Sequence, residues 1–309
     1  LARAQFHLGR QDTARETLQR AARENPDSGD VQLALAQLEH GAGDVQRALA
    51  YLDTALELSP DSVSVRLFAG DLNLLQGRQE AALEHYQAAA GLAPRAPKPA
   101  LGVARACIYL QDEACAADAL KSLRQSLPKH PETHLIAAYV AKLAGDTAAA
   151  VDQARTALSL YPQHSASQLL LSQLLFQQGA YDQAGELIDA FLKRFPDNPV
   201  ALKRQAAIRL RQADPDAAIE TLDTLPAEAR DADALMLLAT AYGSKGDSER
   251  RRQYVEEAVA MDPGNADLQV QLALEKFSQG QQEAALADLE ALAESSDEIT
   301  SADASLLLL

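Results

Sequence analysis

Residues 165–198 read SASQLLLSQLLFQQGAYDQAGELIDAFLKRFPDN, and the spacing within them decides the fold. Leu169, Leu170, Leu171, Leu174, Leu175 and Phe176 supply the apolar part of a first helix. Gly179 ends it, because a left-handed backbone costs a glycine little. Tyr181, Ala184, Leu187, Ile188, Phe191 and Leu192 then recur at three- and four-residue spacing and share one face of a second helix. Pro196 forbids further helix, and Asp197 and Asn198 can cap the next one. Neither helix buries its apolar stripe alone, so the unit needs a copy of itself on each side.

The copies are present in register. Pro26, Pro60, Pro94, Pro128, Pro162 and Pro196 follow one another at intervals of 34 residues. Gly9, Gly43, Gly77, Gly145 and Gly179 form a second comb of the same period. Two of its positions hold other residues, Gln111 in LQDE and Ala213 in RQADPD. Pro226 ends a helix early, so the unit at 199–231 has 33 residues; Gly246, Pro263 and Gly280 then resume the spacing. The units are an incomplete 1–28, then 29–62, 63–96, 97–130, 131–164, 165–198, 199–231, 232–265 and 266–299, with another opening at 300–309.

A small residue marks the helix crossing in each unit. The eighth position reads Ala36, Gly70, Ala104, Ala138, Ser172, Ala206, Ala239 and Ala273; the twentieth reads Ala14, Ala48, Ala82, Ala116, Ala150, Ala184, Ala218, Arg251 and Ala285. With that period and those small residues the chain resembles the tetratricopeptide repeat family. The resemblance implies an all-α, right-handed solenoid of about nine helix-turn-helix repeats, a single domain over 1–309. Three departures stand: no large aromatic at the fourth position, Arg251 at a crossing, and the short unit. The last two predict an irregularity around 213–252.

Composition agrees. A length of 309 residues suggests about two globular domains, which the repeat count overrides in favour of one stack. Hydrophobic residues make up 47% and aromatic residues 5%, as a stack rich in alanine and leucine requires. A formal charge of −16 repels phosphate backbones, which argues against nucleic acid as a partner. No apolar run reaches the roughly 18 residues of a membrane span. The chain opens LARAQFHLG, the last part of a first helix, and closes SADASLLLL, a first helix without its partner. Solenoids close on polar caps, so an excerpt of a longer array is expected.

No catalytic residues and no cofactor are predicted. There is no G-x-S-x-G elbow and no phosphate-binding G-x-x-x-x-G-K-[ST]; the glycines occupy repeat turns. No metal site is predicted: His130 and His134 bracket Pro131 without a carboxylate or thiol at ligand spacing. Cys107 and Cys115, the only cysteines, flank one hairpin turn. A disulfide there needs Cα atoms within about 7 Å; a bond and two small buried thiols both remain open.

Between 193 and 211 the charge reverses locally, with Lys193, Arg194, Lys203, Arg204, Arg209 and Arg211 against Asp197 alone; Arg250, Arg251 and Arg252 follow. The patch Lys203, Arg204, Arg209 and Arg211 suits an acidic peptide or an anionic polysaccharide. Pairing with acids of neighbouring units is the alternative. In the tetratricopeptide family the first helices line a concave groove. Carried over, that groove comprises Leu67, Asp71, Leu74, Leu101, Arg105, Ile108, Tyr109, Leu135, Tyr139, Lys142, Leu169, Gln173, Phe176, Lys203, Ala207 and Arg211. Its apolar residues with interleaved Tyr and Phe suit an extended peptide or a helix of a protein partner. Several of its leucines are alternatively buried between first helices.

A narrower resemblance lies late in the chain. LMLLATAYGSKGDSERRRQYVEEAVAMDPGNADLQVQLALEKFSQGQQEAALADLEALAE, residues 235–294, follows the short unit and resembles the tetratricopeptide lipoproteins of bacterial PEP-CTERM and exosortase protein sorting. Gly246 with Asp247, Met261 to Asn265, and Gly280 to Glu290 carry the match, while Arg250 to Arg252 depart from it. It implies a periplasmic scaffold, lipid-anchored at the outer membrane, in exopolysaccharide-associated protein sorting. The substrate-presenting array of a larger enzyme, such as a glycosyltransferase, and a cytoplasmic adaptor are the alternatives.

Overall fold

The computed structural model describes residues 2–295. The unit expected to open at 300 lies outside them. Among the described residues there are eighteen α-helices and no strand, paired as the 34-residue period predicts. They fall into two compact units that divide between His164 and Ser165. In the first unit the hairpins are α1 (Ala2–His7) with α2 (Gln11–Glu24), α3 (Gly29–Gly41) with α4 (Val45–Leu58), and α5 (Val63–Leu75) with α6 (Gln79–Leu92). They continue with α7 (Pro97–Tyr109) and α8 (Glu113–Ser126), then α9 (Pro131–Leu143) and α10 (Thr147–Leu160). In the second they are α11 (Ser165–Gln177) with α12 (Tyr181–Leu192), α13 (Pro199–Arg211) with α14 (Pro215–Asp223), α15 (Ala232–Ser244) with α16 (Ser248–Met261), and α17 (Ala266–Ser278) with α18 (Gln282–Ser295).

Both combs have a backbone cause. Each comb glycine lies in the left-handed region, from φ 70° at Gly77 to 85° at Gly43, and so do the two exceptions, Gln111 at 57° and Ala213 at 59°. The residue after it donates its N–H five residues back, as Asp44 N–H to Glu39 O and Asp112 N–H to Cys107 O, both 2.9 Å. This closes the first helix by satisfying a carbonyl left open at its end. Asp44, Asp112, Asp146, Asp214 and Asp247 then cap the second helix. Each comb proline is the second residue of a turn from the end of one hairpin to the cap of the next. Ser62 N–H reaches Ser59 O at 3.1 Å around Pro60, and Asn198 N–H reaches Phe195 O at 3.2 Å around Pro196. Proline is preset for that turn position.

The small residues sit at the helix crossings. Ala36, Ala104, Ala138, Ser172, Ala206 and Ala273, with Ala14, Ala48, Ala82, Ala116, Ala150, Ala184, Ala218 and Ala285, are all 0% exposed. Ser172 Oγ donates to Ala184 O at 3.0 Å, tying two crossing positions together. Larger residues fill the space between hairpins, as Leu33, Leu52, Val65 and Leu72 do in one core cluster of the first unit.

The irregularity expected around 213–252 is local. Helix α14 has nine residues where most second helices have fourteen. Pro226 and a 3-10 turn at Ala227–Ala229 replace its last turns, while Leu222 and Leu225 keep the core filled. Arg251 occupies its crossing because Gly243 on α15 lacks a Cβ, which would lie 2.9 Å from Arg251 Cδ. Arg251 Nε meets Glu275 Oε2 on α17 at 2.9 Å, and Glu275 is only 2% exposed. Arg15 serves Glu39, 1% exposed, in the same way across α2 and α3, at 2.6 and 3.1 Å.

Two expectations follow from this geometry. Ala213→Gly relieves a left-handed alanine and raises stability by about 0.5–1 kcal/mol in denaturant titration. Arg251→Ala restores the repeat's usual small residue yet destabilises by about 2 kcal/mol, since it strands a buried carboxylate; Glu275→Gln in the same chain recovers most of the loss.

Candidate functional site

In the second unit the first helices α11, α13 and α15 enclose a cleft of about 610 Å³. Phe176, Val200, Met236 and Leu237 form its apolar wall, with Gln173, Gln177 and Thr240 as polar groups and Lys203, Arg204 and Asp233 as charges. Phe176 is held by an edge-on contact with Tyr181, ring centroids 5.4 Å apart. The volume falls within the range of ligand clefts, and the lining combines an apolar surface with a few polar groups. Gln173, Phe176, Lys203 and Ala207, assigned to a groove from the sequence, are brought together here.

The basic patch does not assemble as one surface. Lys203 Nζ lies 2.5 Å from Asp231 and 3.8 Å from Asp233. Burial opposes the charge on Asp231, but hydrogen bonds from Lys203 and from Ala234 N–H outweigh it and hold that carboxyl below its usual pKa. Arg209 turns the other way, toward Asp189 on α12 at 3.6 Å. Arg204 lines the cleft and Arg211 is exposed one turn beyond Ala207. The arginine triplet also disperses. Arg250 lies over the Tyr242 ring at 5.0 Å and beside Asp247, Arg251 meets Glu275, and Arg252 meets Glu256. Pairing with neighbours, the alternative for this charge run, describes Lys203 and Arg209.

In the first unit Asp71, Arg105 and Tyr109 are exposed, Tyr109 at 62%. Tyr139 and Lys142 are half-buried. Leu135, expected in the groove, is buried at 6%. Leu67 packs with Tyr86 and Leu101 with the cluster of Ala104 and Leu120, so these leucines serve the stack. His130 caps α9, accepting from Glu132 N–H at 3.2 Å, and His134 Nδ1 meets Gln153 at 2.9 Å. Of the two alternatives for the cysteines the structure takes the bonded one: Cys107 and Cys115 form a disulfide, Cα atoms 5.6 Å apart, tying α7 to α8.

Tyr86 escaped the reading of the sequence. It belongs to a second helix, α6, yet its ring passes between α5 and α7, because a Cβ at Gly70 or Gly102 would stand 2.5 or 2.3 Å from it. Its hydroxyl donates to Asp71 Oδ1 at 2.6 Å, fixing a carboxylate among the exposed residues of α5. The signal in the sequence was the pair Gly70 and Gly102, neither on the turn comb.

Burial first, then the hydrogen bond to Asp71, drives the Tyr86 phenol far above its ordinary pKa. The folded chain therefore holds this proton where the unfolded chain releases it, near pH 10. The contribution is complete below about pH 10 and declines as pH rises beyond it. Tyr86→Phe should lose about 1 kcal/mol at neutral pH and show a shallower fall in stability between about pH 10 and 11 than the parent, followed by chemical denaturation across that range.

Four models of the tetratricopeptide repeat match residues 1–38, 33–97, 141–200 and 232–265, together more than half of the chain. No curated protein matches it. Among solved structures it is similar to a tetratricopeptide repeat protein from Parabacteroides merdae, at 15% identity and TM-score 0.59, covering 80% of this chain and 98% of that one. It is similar to the Cut9–Hcn1 hetero-tetramer of APC/C at 17% identity and TM-score 0.65, covering 96% and 59%. Human IFIT1, solved as a dimer with m7Gppp-AAAA, aligns at 15% identity and TM-score 0.69, covering 98% and 78%. At such identities the likeness is one of fold. Repeat period, crossing residues, hairpin turns and family models agree: the chain belongs to the tetratricopeptide repeat proteins, whose fold is that of a protein-interaction scaffold.

Proposed function

We propose that this chain is a non-catalytic scaffold of the bacterial envelope, serving exopolysaccharide-associated protein sorting, and that it captures a polypeptide on the first-helix face of its second unit. The observation that carries the reading is the cleft of α11, α13 and α15, where Phe176, Met236 and Leu237 lie beside Lys203 and Arg204. An apolar wall next to cations in a chain of charge −16 favours an extended segment with apolar and acidic side chains. An anionic polysaccharide would use the cations and leave the apolar wall without a partner.

Two features support the envelope. The Cys107–Cys115 bond is of a kind that persists in oxidising compartments. Residues 235–294 carry the turns on which the resemblance to the sorting lipoproteins rests, with Gly246 left-handed at φ 78°, Asp247 capping α16, and Gly280 left-handed at φ 81°. That resemblance also supplies the expectation of a lipid anchor at the outer membrane. Among the described residues no helix is long and apolar enough to cross a membrane.

The test is capture from envelope and cytosolic fractions of the source organism by the full-length protein, with mass spectrometry of what is retained. The scaffold reading expects exported, surface-sorted proteins or polysaccharide-assembly components. Their retention should fall by about tenfold or more in Phe176→Ala/Met236→Ala and in Arg204→Glu/Arg211→Glu, with helical content unchanged. Retention of cytosolic enzymes instead, or capture indifferent to both variants, overturns it.

A further inference from the structure

Away from the α11–α13–α15 cleft, the first unit has a second opening of about 340 Å³, lined by Ala90 and Pro94 near the end of α6, Val103 on α7, and Cys115, Asp118 and Ser122 on α8. Cys115 belongs to this lining and is half-buried, whereas its bonded partner Cys107 is 0% exposed. Of the two bonded residues only Cys115 borders the opening, which gives the disulfide one side of approach. We propose that Cys107–Cys115 is a thiol-exchange site, attacked at Cys115 Sγ through this cleft by a small neutral or cationic thiol.

The step balances without a further oxidant. The thiolate of the incoming thiol bonds to Cys115 Sγ, the Cys107–Cys115 bond breaks, and Cys107 leaves as a thiolate that takes up a proton. The product is a mixed disulfide on Cys115 and a buried thiol at Cys107. A second thiol, attacking the outer sulfur of that mixed disulfide, releases Cys115 and carries away the reagent's own disulfide. Access selects the sulfur, since attack on Cys107 requires passage through the core.

Charge selects the thiol. Asp112 and Glu113 open α8 beside Cys115, with the Asp112 carboxylate accepting Cys115 N–H at 3.0 Å, while Arg95 and Lys98 stand exposed on the connection that brings Pro94 and Ala96 to the lining. Asp118 is paired with Lys121 at 2.7 Å, which leaves the first turn of α8 net acidic. An anionic thiol such as glutathione is repelled there, and a cationic one is drawn in. Cys107 stands on α7 between the exposed Arg105 and Tyr109, so exchange also removes the covalent tie behind that face.

The oxidised full chain would be treated with cysteamine, 2-mercaptoethanol or glutathione at equal thiolate concentration, quenched in acid and mapped by mass spectrometry. The adduct is expected on Cys115, with Cys107 recovered as the free thiol. Cysteamine should react about three- to tenfold faster than glutathione at low salt, with the gap closing in about 1 M salt. Asp112→Asn keeps the helix cap and, combined with Glu113→Gln, should raise the glutathione rate about two- to threefold. Amide exchange at 106–109 should quicken once the bond is opened. Adducts on Cys107, exchange no faster than global unfolding, no dependence on the charge of the thiol, or two free thiols in the protein as purified would each overturn the proposal.

Discussion

Everything in this chain depends on how closely the two helices of a hairpin approach. The crossing admits a hydrogen atom or a methyl group, with Ser172 as the largest neutral residue there, and a longer side chain has to be housed elsewhere. Arg251 shows the terms of an exception: the missing Cβ of Gly243 gives it space, and the carboxylate of Glu275 takes its charge. Tyr86 shows another, in which Gly70 and Gly102 let a ring from a second helix pass between two first helices. Both exceptions use the close approach, since each needs glycine in a place where other residues would prevent contact.

The turns translate that approach into a repeat. A left-handed residue ends each first helix, a bond from the following N–H closes its last carbonyl, and a proline turn carries the chain into the next hairpin. Gln111 and Ala213 hold the same conformation without glycine, so the hydrogen-bond pattern of the turn and the packing behind it outweigh a strain of about 1–2 kcal/mol each. Because the geometry repeats, the first helices of successive hairpins touch one another, as α3 with α5, α5 with α7, and α13 with α15 do. Their shared face is where side chains from three hairpins converge.

That convergence gives the scaffold its chemistry. In the second unit it places an apolar wall beside cations whose charge is partly met by Asp231 and Asp233. In the first unit it places Asp71, Arg105 and Tyr109 in the open, one steadied by a buried phenol and the other two on the helix that carries Cys107. An exposed face bearing Arg105 and Tyr109 and a covalent tie thus share α7, on its open and its buried side.

The sequence alone determined the period, the hairpins, the crossing residues and the placing of both turns, because each is set by contacts within one 34-residue unit. It marked the short unit and Arg251 as irregular, and it placed Phe176, Gln173 and Lys203 in a groove. The tertiary structure decided which of those groove residues are accessible. Leu135 is spent in the core, Arg209 turns to Asp189, and Lys203 is shared with Asp231 on the following hairpin. It also decided that Cys107 and Cys115 are bonded and that Tyr86 reaches Asp71. The physical reason is range: backbone hydrogen bonds and amphipathic spacing are written within a few residues. Whether a side chain meets water, a counter-charge or another helix depends on neighbours brought close by the fold, and no local pattern records them.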